Sequence, residues 1–222
     1  MRLLICILLP LFSFTQHNND LNNLPNDVKW VTESKEYKLL CQQIYRTAIK
    51  QLKKQCKKKK NPVIIMDIDE TVLDNSQYQV DLYNKNTSYN SKSWNNFVEK
   101  EISELVPGAK QFILAYKKYP NAKIIYISNR DASTLDATKS NMKKLGIYFE
   151  DDIFLLRENQ SDSKIIRRQE VLDGNNRMQN YGSQSVIAYF GDAFGDFPNN
   201  KKYQFSKNKF LFPNPMYGEW QK

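Results

Sequence analysis

Apolar residues in this chain fall into two patterns, short dense runs and longer stretches in which they recur every three or four positions. The runs lie at 63–67 (within NPVIIMDIDETVLDN), 122–128 (AKIIYIS), 153–156, 185–190 (SVIAYF) and 210–212 (FLF). Their length and their Ile and Val content predict strands buried on both faces. Helical spacing predicts helices over about 33–56, where Tyr37, Leu40, Ile44, Ala48 and Leu52 recur, and over about 134–145. Two further helices are predicted, one opened by Pro107-Gly108 and one from about Ser163, behind an SDS cap. Strands alternating with amphipathic helices imply an α/β fold, a parallel sheet covered on both faces. The segment 76–106 is polar and aromatic and reads as an insertion.

In such sheets, ligands bind beyond the carboxyl ends of the strands. Three of the predicted strands end in chemistry: Asp67-Ile68-Asp69, Ser128-Asn129-Arg130, and GDAFGD with Asp192 and Asp196. Carboxylates at the end of an apolar run are costly without a compensating cation or hydrogen-bond network. Oxygen ligands favour a hard cation, Mg2+ over zinc. The period of two along extended chain predicts Asp67 and Asp69 on one side where the strand runs out. An EF-hand calcium loop fails on spacing, because Val72 and Tyr78 stand where Gly and Glu are needed. An Asp-x-Asp glycosyltransferase leaves the second acidic motif unexplained. The sole histidine, His17, lies near the expected end of a leader, which excludes histidine-based hydrolase mechanisms.

The 222 residues suffice for one domain with a core. Residues 1–17 carry one arginine and an apolar run over 3–14, which reads as a secretory signal too short to span a membrane. The expectation is therefore an exported protein (periplasmic, cell-surface or secreted), with residues 18–222 as its single domain. Cys41 and Cys56 sit fifteen residues apart on one predicted helix, about 22 Å, too far to pair. The formal charge is +9, with much of the excess in KKQCKKKK at 53–60. That run is either a solvated helix end or a source of field that draws in anionic substrates. No recognition motif accompanies it, so a nucleic acid polymer is not an expected partner.

DIDETVLDNSQY, YISNR, the Lys164 region and GDAFGDF resemble, in order and spacing, the four motifs of the haloacid dehalogenase superfamily. More closely, the chain is similar to the class C bacterial acid phosphatases, a branch that includes outer-membrane lipoprotein 5′-nucleotidases. The likeness runs from WVTESKEYKLL through PGAKQF to NPMYGEW. It implies a three-layer Rossmann-like fold. It also implies a small, mostly helical cap built from the N-terminal helix, the insertion at about 76–106 and the C-terminal tail.

The resemblance implies Asp67 as the nucleophile that takes the phosphoryl group and Asp69 as general acid, then base. It implies Mg2+ on the Asp67 carboxylate, the Asp69 carbonyl and Asp192, with Asp196 orienting metal-bound waters. Ser128, Asn129 and Lys164 are implied in phosphate binding. Trp94 and Tyr217 occupy positions where relatives stack a base or nicotinamide ring, although either could be a core aromatic. Arg130 is either a substrate contact or a structural ion pair. The substrate class implied is a small phosphomonoester, a nucleoside monophosphate or nicotinamide mononucleotide, hydrolysed by a homodimer. A broad-specificity acid phosphatase and a noncatalytic binding or storage protein are the alternatives. Gln77, Ala193 and Gly195 depart from the residues common at their positions, which puts metal affinity and rate in question.

Overall fold

In the computed structural model, residues 23–218 and Trp220 are described. The predicted leader, with His17, lies outside them. No helix among the described residues is long and apolar enough to cross a membrane.

The helix expected over about 33–56 is α2 (Lys35–Lys58), and a separate helix that was not expected, α1 (Asn26–Glu33), precedes it. Ser34 separates them. Its backbone is extended, and its hydroxyl accepts from the amide of Tyr37 at 3.0 Å, capping the start of α2. The buried face of α2 is Tyr37, Cys41, Tyr45, Ala48, Leu52 and Cys56. Leu40, expected inside, is exposed, since Cys41 takes the inward position. Cys41 and Cys56 are free thiols, as their helical separation requires.

The remaining elements are β1 (Val63–Met66), β2 (Leu73–Asp74), α3 (Ser76–Asn84), α4 (Ser91–Val98), β3 (Glu104–Leu105), α5 (Ala109–Tyr116) and β4 (Lys123–Asp131). They continue with α6 (Leu135–Lys144), β5 (Ile153–Arg157), α7 (Lys164–Asp173), β6 (Val186–Gly191) and β7 (Lys209–Leu211). The main sheet has the order β5-β4-β1-β6-β7, and every neighbouring pair is parallel.

Alternate residues of each strand feed two separate cores, which is why the runs are continuously apolar. Ile64, Met66, Ile124, Tyr126 and Phe190 pack on the side of α2 and α5. Val63, Ile65, Ile125, Ile127 and Val186 pack on the side of α7. From β1 the chain moves outward through β4 and β5, then returns to the other side of β1 through β6. The reversal leaves a crevice beyond the ends of β1, β4 and β6.

The insertion contains α3 and α4, closed at its base by the antiparallel β2–β3 ribbon, and α1 packs against α3. The basic run 53–60 ends α2 and leads to β1, at the amino-terminal end of the central strand, opposite this crevice. Nζ of Lys59 is fastened 2.6 Å from Oγ of Ser185, just before β6. These lysines do not surround the strand ends.

Candidate active site

Pairing of β1 with β6 carries one residue past the strand, where the amide of Asp67 donates to the Phe190 carbonyl at 2.9 Å. The side chain of Asp67 is thereby fixed at the rim and buried. Its Oδ1 lies 2.8 Å from Nζ of Lys164 as an ion pair, without hydrogen-bond geometry. Lys164 opens α7, whose cap is the Ser163 hydroxyl. The same Nζ donates to Oδ1 of Asp196, whose other oxygen accepts from the amide of Ala193 at 2.9 Å. Oδ2 of Asp192 accepts from Asn214 in the C-terminal tail at 2.8 Å.

Asp67, Asp192 and Asp196 each place a carboxylate oxygen within 4.8 Å of the others. Gly191 makes the close turn feasible. A Cβ there would stand 2.3 Å from both Cβ and Oδ2 of Asp196, so any side chain would displace the carboxylate.

Three carboxylates face one lysine. Burial pushes the Asp67 carboxyl well above its ordinary range; Lys164 opposes this, and Asp196, Asp192 and Asp69 add to it. Burial, followed by Asp196, pushes Asp192 up to about 6. Burial lowers Lys164, but Asp196 and Asp67 more than reverse that and hold it above the ordinary lysine value. The residual negative charge, the oxygen-only donors and a buried Asp67 oxygen accepting no hydrogen bond all fit a hard divalent cation.

Asp69 faces a different set of groups. Its Oδ1 accepts from Nε of Arg130 at 2.9 Å and from Nδ2 of Asn75 at 2.9 Å. Its Oδ2 accepts from the Ser128 hydroxyl at 3.0 Å. The two aspartates therefore do not share one environment, as simple strand alternation implied. β1 stops at Met66, and the chain turns through Glu70, which has φ +53°. Glu70 is fully buried, and its Oε1 accepts from the amide of Asn75 at 2.9 Å. Oδ1 of Asn75 in turn accepts from Ser103 at 2.7 Å and from Arg130 at 3.2 Å. Arg130 completes its fork on Thr138 at 3.1 Å. Of the two roles open to Arg130, the ion pair is the one it fills here.

Asn129 is exposed at the end of β4, and its side-chain oxygen is held by Nη2 of Arg167 at 2.7 Å. Arg167, one helical turn after Lys164, also donates to the carbonyls of Ser128 and Leu155. Trp94 belongs to an aromatic group in the insertion. It stacks on Phe97 at 5.8 Å between centroids and meets Tyr78 edge-on at 5.1 Å. The Arg130 guanidinium lies 5.7 Å from its ring centroid. Tyr217 is half-buried against the core on the α2 side, and its carbonyl accepts from the Trp220 indole at 3.1 Å.

Residues 11–220 match the family profile described as HAD superfamily, subfamily IIIB (acid phosphatase). The chain belongs to this acid phosphatase family. Among solved structures it is similar to the class C acid phosphatase from Bacillus anthracis with tungstate bound, at 29% identity and TM-score 0.74. The match covers 88% of this chain and 85% of that one. A second structure of the class C acid phosphatase from Bacillus anthracis matches over the same shares, at 29% identity and TM-score 0.73. The protein is thus an HAD-type class C acid phosphatase, a phosphomonoesterase, and the noncatalytic alternative is set aside.

Sequence reading missed four contributors to this acid phosphatase site. Asn75 and Glu70 lie inside the quoted DIDETVLDN but had no role, and Arg167 and Asn214 were passed over. Only Arg167 carried a local signal, its i+3 spacing from Lys164.

Proposed function

We propose that this acid phosphatase is an exported, magnesium-dependent enzyme that hydrolyses 5′-nucleotides or nicotinamide mononucleotide through an aspartyl-phosphate. The observation that carries the proposal is the division of labour between two aspartates two residues apart. Asp67 stands among carboxylates and Lys164, whereas Asp69 stands among neutral donors and Arg130.

In this reading a carboxylate oxygen of Asp67 attacks phosphorus, forming an acyl-phosphate bond as the ester P–O bond breaks. Asp69 gives its proton to the departing alcohol oxygen. Oδ1 of Asp69 is held by two fixed donors, so Oδ2, whose single partner is the rotatable Ser128 hydroxyl, is the oxygen that carries the proton. Water then attacks phosphorus, Asp69 takes a proton from it, and phosphate leaves with Asp67 restored.

Asp67, Asp192 and the Asp69 carbonyl would hold Mg2+, with Asp196 beside them orienting metal-bound water. A bound cation supplies the positive charge that keeps these carboxylates ionised and draws a phosphate oxygen towards Asp67. Lys164 supplies a second cation to the phosphate, and the Ser128 hydroxyl turns from Asp69 to meet a phosphate oxygen. Asn129 lies beside Ser128 as a further phosphate contact. The tungstate in the Bacillus anthracis relative, an oxyanion of phosphate-like shape, supports such a pocket.

Trp94 and Tyr217 supply the stacking surface in the nucleotide reading. The packing of Trp94 on Phe97 and Tyr78 favours a second reading, a broad-specificity phosphatase in which this residue is structural. A substrate panel separates them: nucleoside monophosphates and nicotinamide mononucleotide should exceed glycerol phosphate in kcat/KM by tenfold or more. Equal values would leave only the broad-specificity enzyme. Export rests on the apolar leader at 1–17, the single domain on residues 18–222 with its insertion as cap, and a homodimer on the family likeness. Light scattering on the secreted product tests the last.

A further inference from the structure

The chain holds 33 basic and 24 acidic residues, and this excess is not spread over the molecule. Residues 35–60 contain ten of the basic residues and one acidic residue, Glu36, which leaves the rest balanced at 23 of each. The whole net charge therefore belongs to α2 and the four-residue link that takes it to β1.

Its geometry is that of a flat stripe. The inner face of α2 is fully used, from Tyr37 to Cys56. On the outer face, at 3.6 residues per turn, Leu39, Arg46, Lys50, Lys53 and Lys57 fall within about 40° of one line along the axis. All five are exposed, Leu39 at 58%. From Arg46 to Lys57 the stripe runs about 16 Å, and Lys58, Lys59 and Lys60 extend it. None of these lysines has an acidic ion-pair partner among the described residues.

The lysine-rich end of the stripe lies away from the active site: Lys60 precedes β1 and Asp67 follows it, so the length of the strand separates them by roughly 20 Å. A like-charged, unpaired, solvent-facing array fits an extended anionic surface. Two features favour lipid over nucleic acid. Nine of the ten cations are lysines, hydrated point charges without the guanidinium fork suited to phosphate and base recognition. The exposed face of α2 also lacks an aromatic for base stacking, whereas Leu39 is coplanar with the cations and can enter a bilayer interface.

We infer that the outer face of α2 is a docking surface for an anionic phospholipid bilayer.

The test is sedimentation of the purified full-length enzyme with phosphatidylcholine vesicles, with and without phosphatidylglycerol. Two fourfold variants are compared, one on the stripe (Lys50→Glu, Lys53→Glu, Lys57→Glu and Lys58→Glu) and one elsewhere (Lys85→Glu, Lys143→Glu, Lys201→Glu and Lys207→Glu). Electrostatic attraction contributes about fivefold per lysine near such a surface. The stripe variant should therefore bind anionic vesicles several hundredfold more weakly, with hydrolysis of a soluble ester unchanged as proof of folding. The variant altered elsewhere should lose far less, and high salt should release the wild type. Leu39→Ser should weaken binding without changing its salt dependence. Equal losses in the two fourfold variants would overturn the assignment to α2. Equal binding to neutral and anionic vesicles would overturn the electrostatic proposal and assign binding to the apolar leader. Tighter binding to duplex DNA than to anionic vesicles would overturn the lipid assignment.

Discussion

Nε of Arg130 lies 2.9 Å from Oδ1 of Asp69, and the remaining nitrogens of the same guanidinium reach Thr138 and Asn75. The proposed acid–base residue is therefore anchored to β4 by a fully buried cation, with Asn75 bridging the two. Hydrogen bonds to charged groups contribute about 1.5–3 kcal/mol each. Asn75→Ala is expected to lower kcat roughly 10- to 150-fold while leaving metal affinity within twofold of wild type. Arg130→Ala should also destabilise the fold by about 3–5 kcal/mol, because it strips the partner from a largely buried ion pair. Steady-state kinetics with urea titration separate the two effects; unchanged kcat in Asn75→Ala would remove it from a positioning role.

The leaving group reports on Asp69. A ribose hydroxyl needs a proton as it departs, whereas p-nitrophenolate does not. Asp69→Asn should cost about 10²–10⁴-fold on a nucleoside monophosphate and much less on p-nitrophenyl phosphate. Equal losses would mean that Asp69 acts by holding the loop.

Most of the scaffold was legible in the sequence, and the reasons are local. The runs at 63–67, 122–128 and 185–190 read as strands because each is buried on both faces. The short helix α1 was not legible, since the apolar recurrence that marks α2 begins only at Tyr37. Leu40 was misplaced because Cys41 was not counted as an apolar residue. The three motif aspartates Asp67, Asp192 and Asp196 could be nominated from their positions at strand ends. Their sorting could not: Arg130 is 61 residues from Asp69 and 55 from Asn75, and only the fold decides which donors meet which oxygen.

A pH effect is expected away from the active site. Asp152 is buried beneath Lys117 and accepts from the amide of Ile124 at 3.0 Å, and burial pushes its carboxyl up to about 6. Its unfolded value is about 3.9, so between roughly pH 4 and 6 the native state holds more protons than the unfolded one. Stability then falls as pH rises through that window and levels off above it. The contribution is about 2–3 kcal/mol at 1.36 kcal/mol per unit. In Asp152→Asn this slope should vanish, so its stability relative to wild type should improve from pH 4 to pH 6 in urea titrations. A difference independent of pH would show that Asp152 does not titrate there.

The aromatic pair bears on specificity. Stacking on a base contributes about 1–3 kcal/mol by alanine substitution, and such contacts change little at the transition state. Trp94→Ala and Tyr217→Ala should each raise KM for nucleoside monophosphates about 5- to 150-fold, with kcat nearly constant. Glycerol phosphate should be almost unaffected. Parallel losses on both substrates would make the two rings structural.

The most direct test is turnover by exhaustively chelated enzyme, before and after Mg2+ is added, for wild type and Asp67→Asn together. Three carboxylates around one lysine need added positive charge to stay ionised, and an amide at position 67 cannot accept a phosphoryl group. The expected result is no hydrolysis by the chelated wild type, restoration by Mg2+, and no hydrolysis by Asp67→Asn in either state. Full activity without metal, or wild-type turnover in Asp67→Asn, would contradict the reading of this strand end.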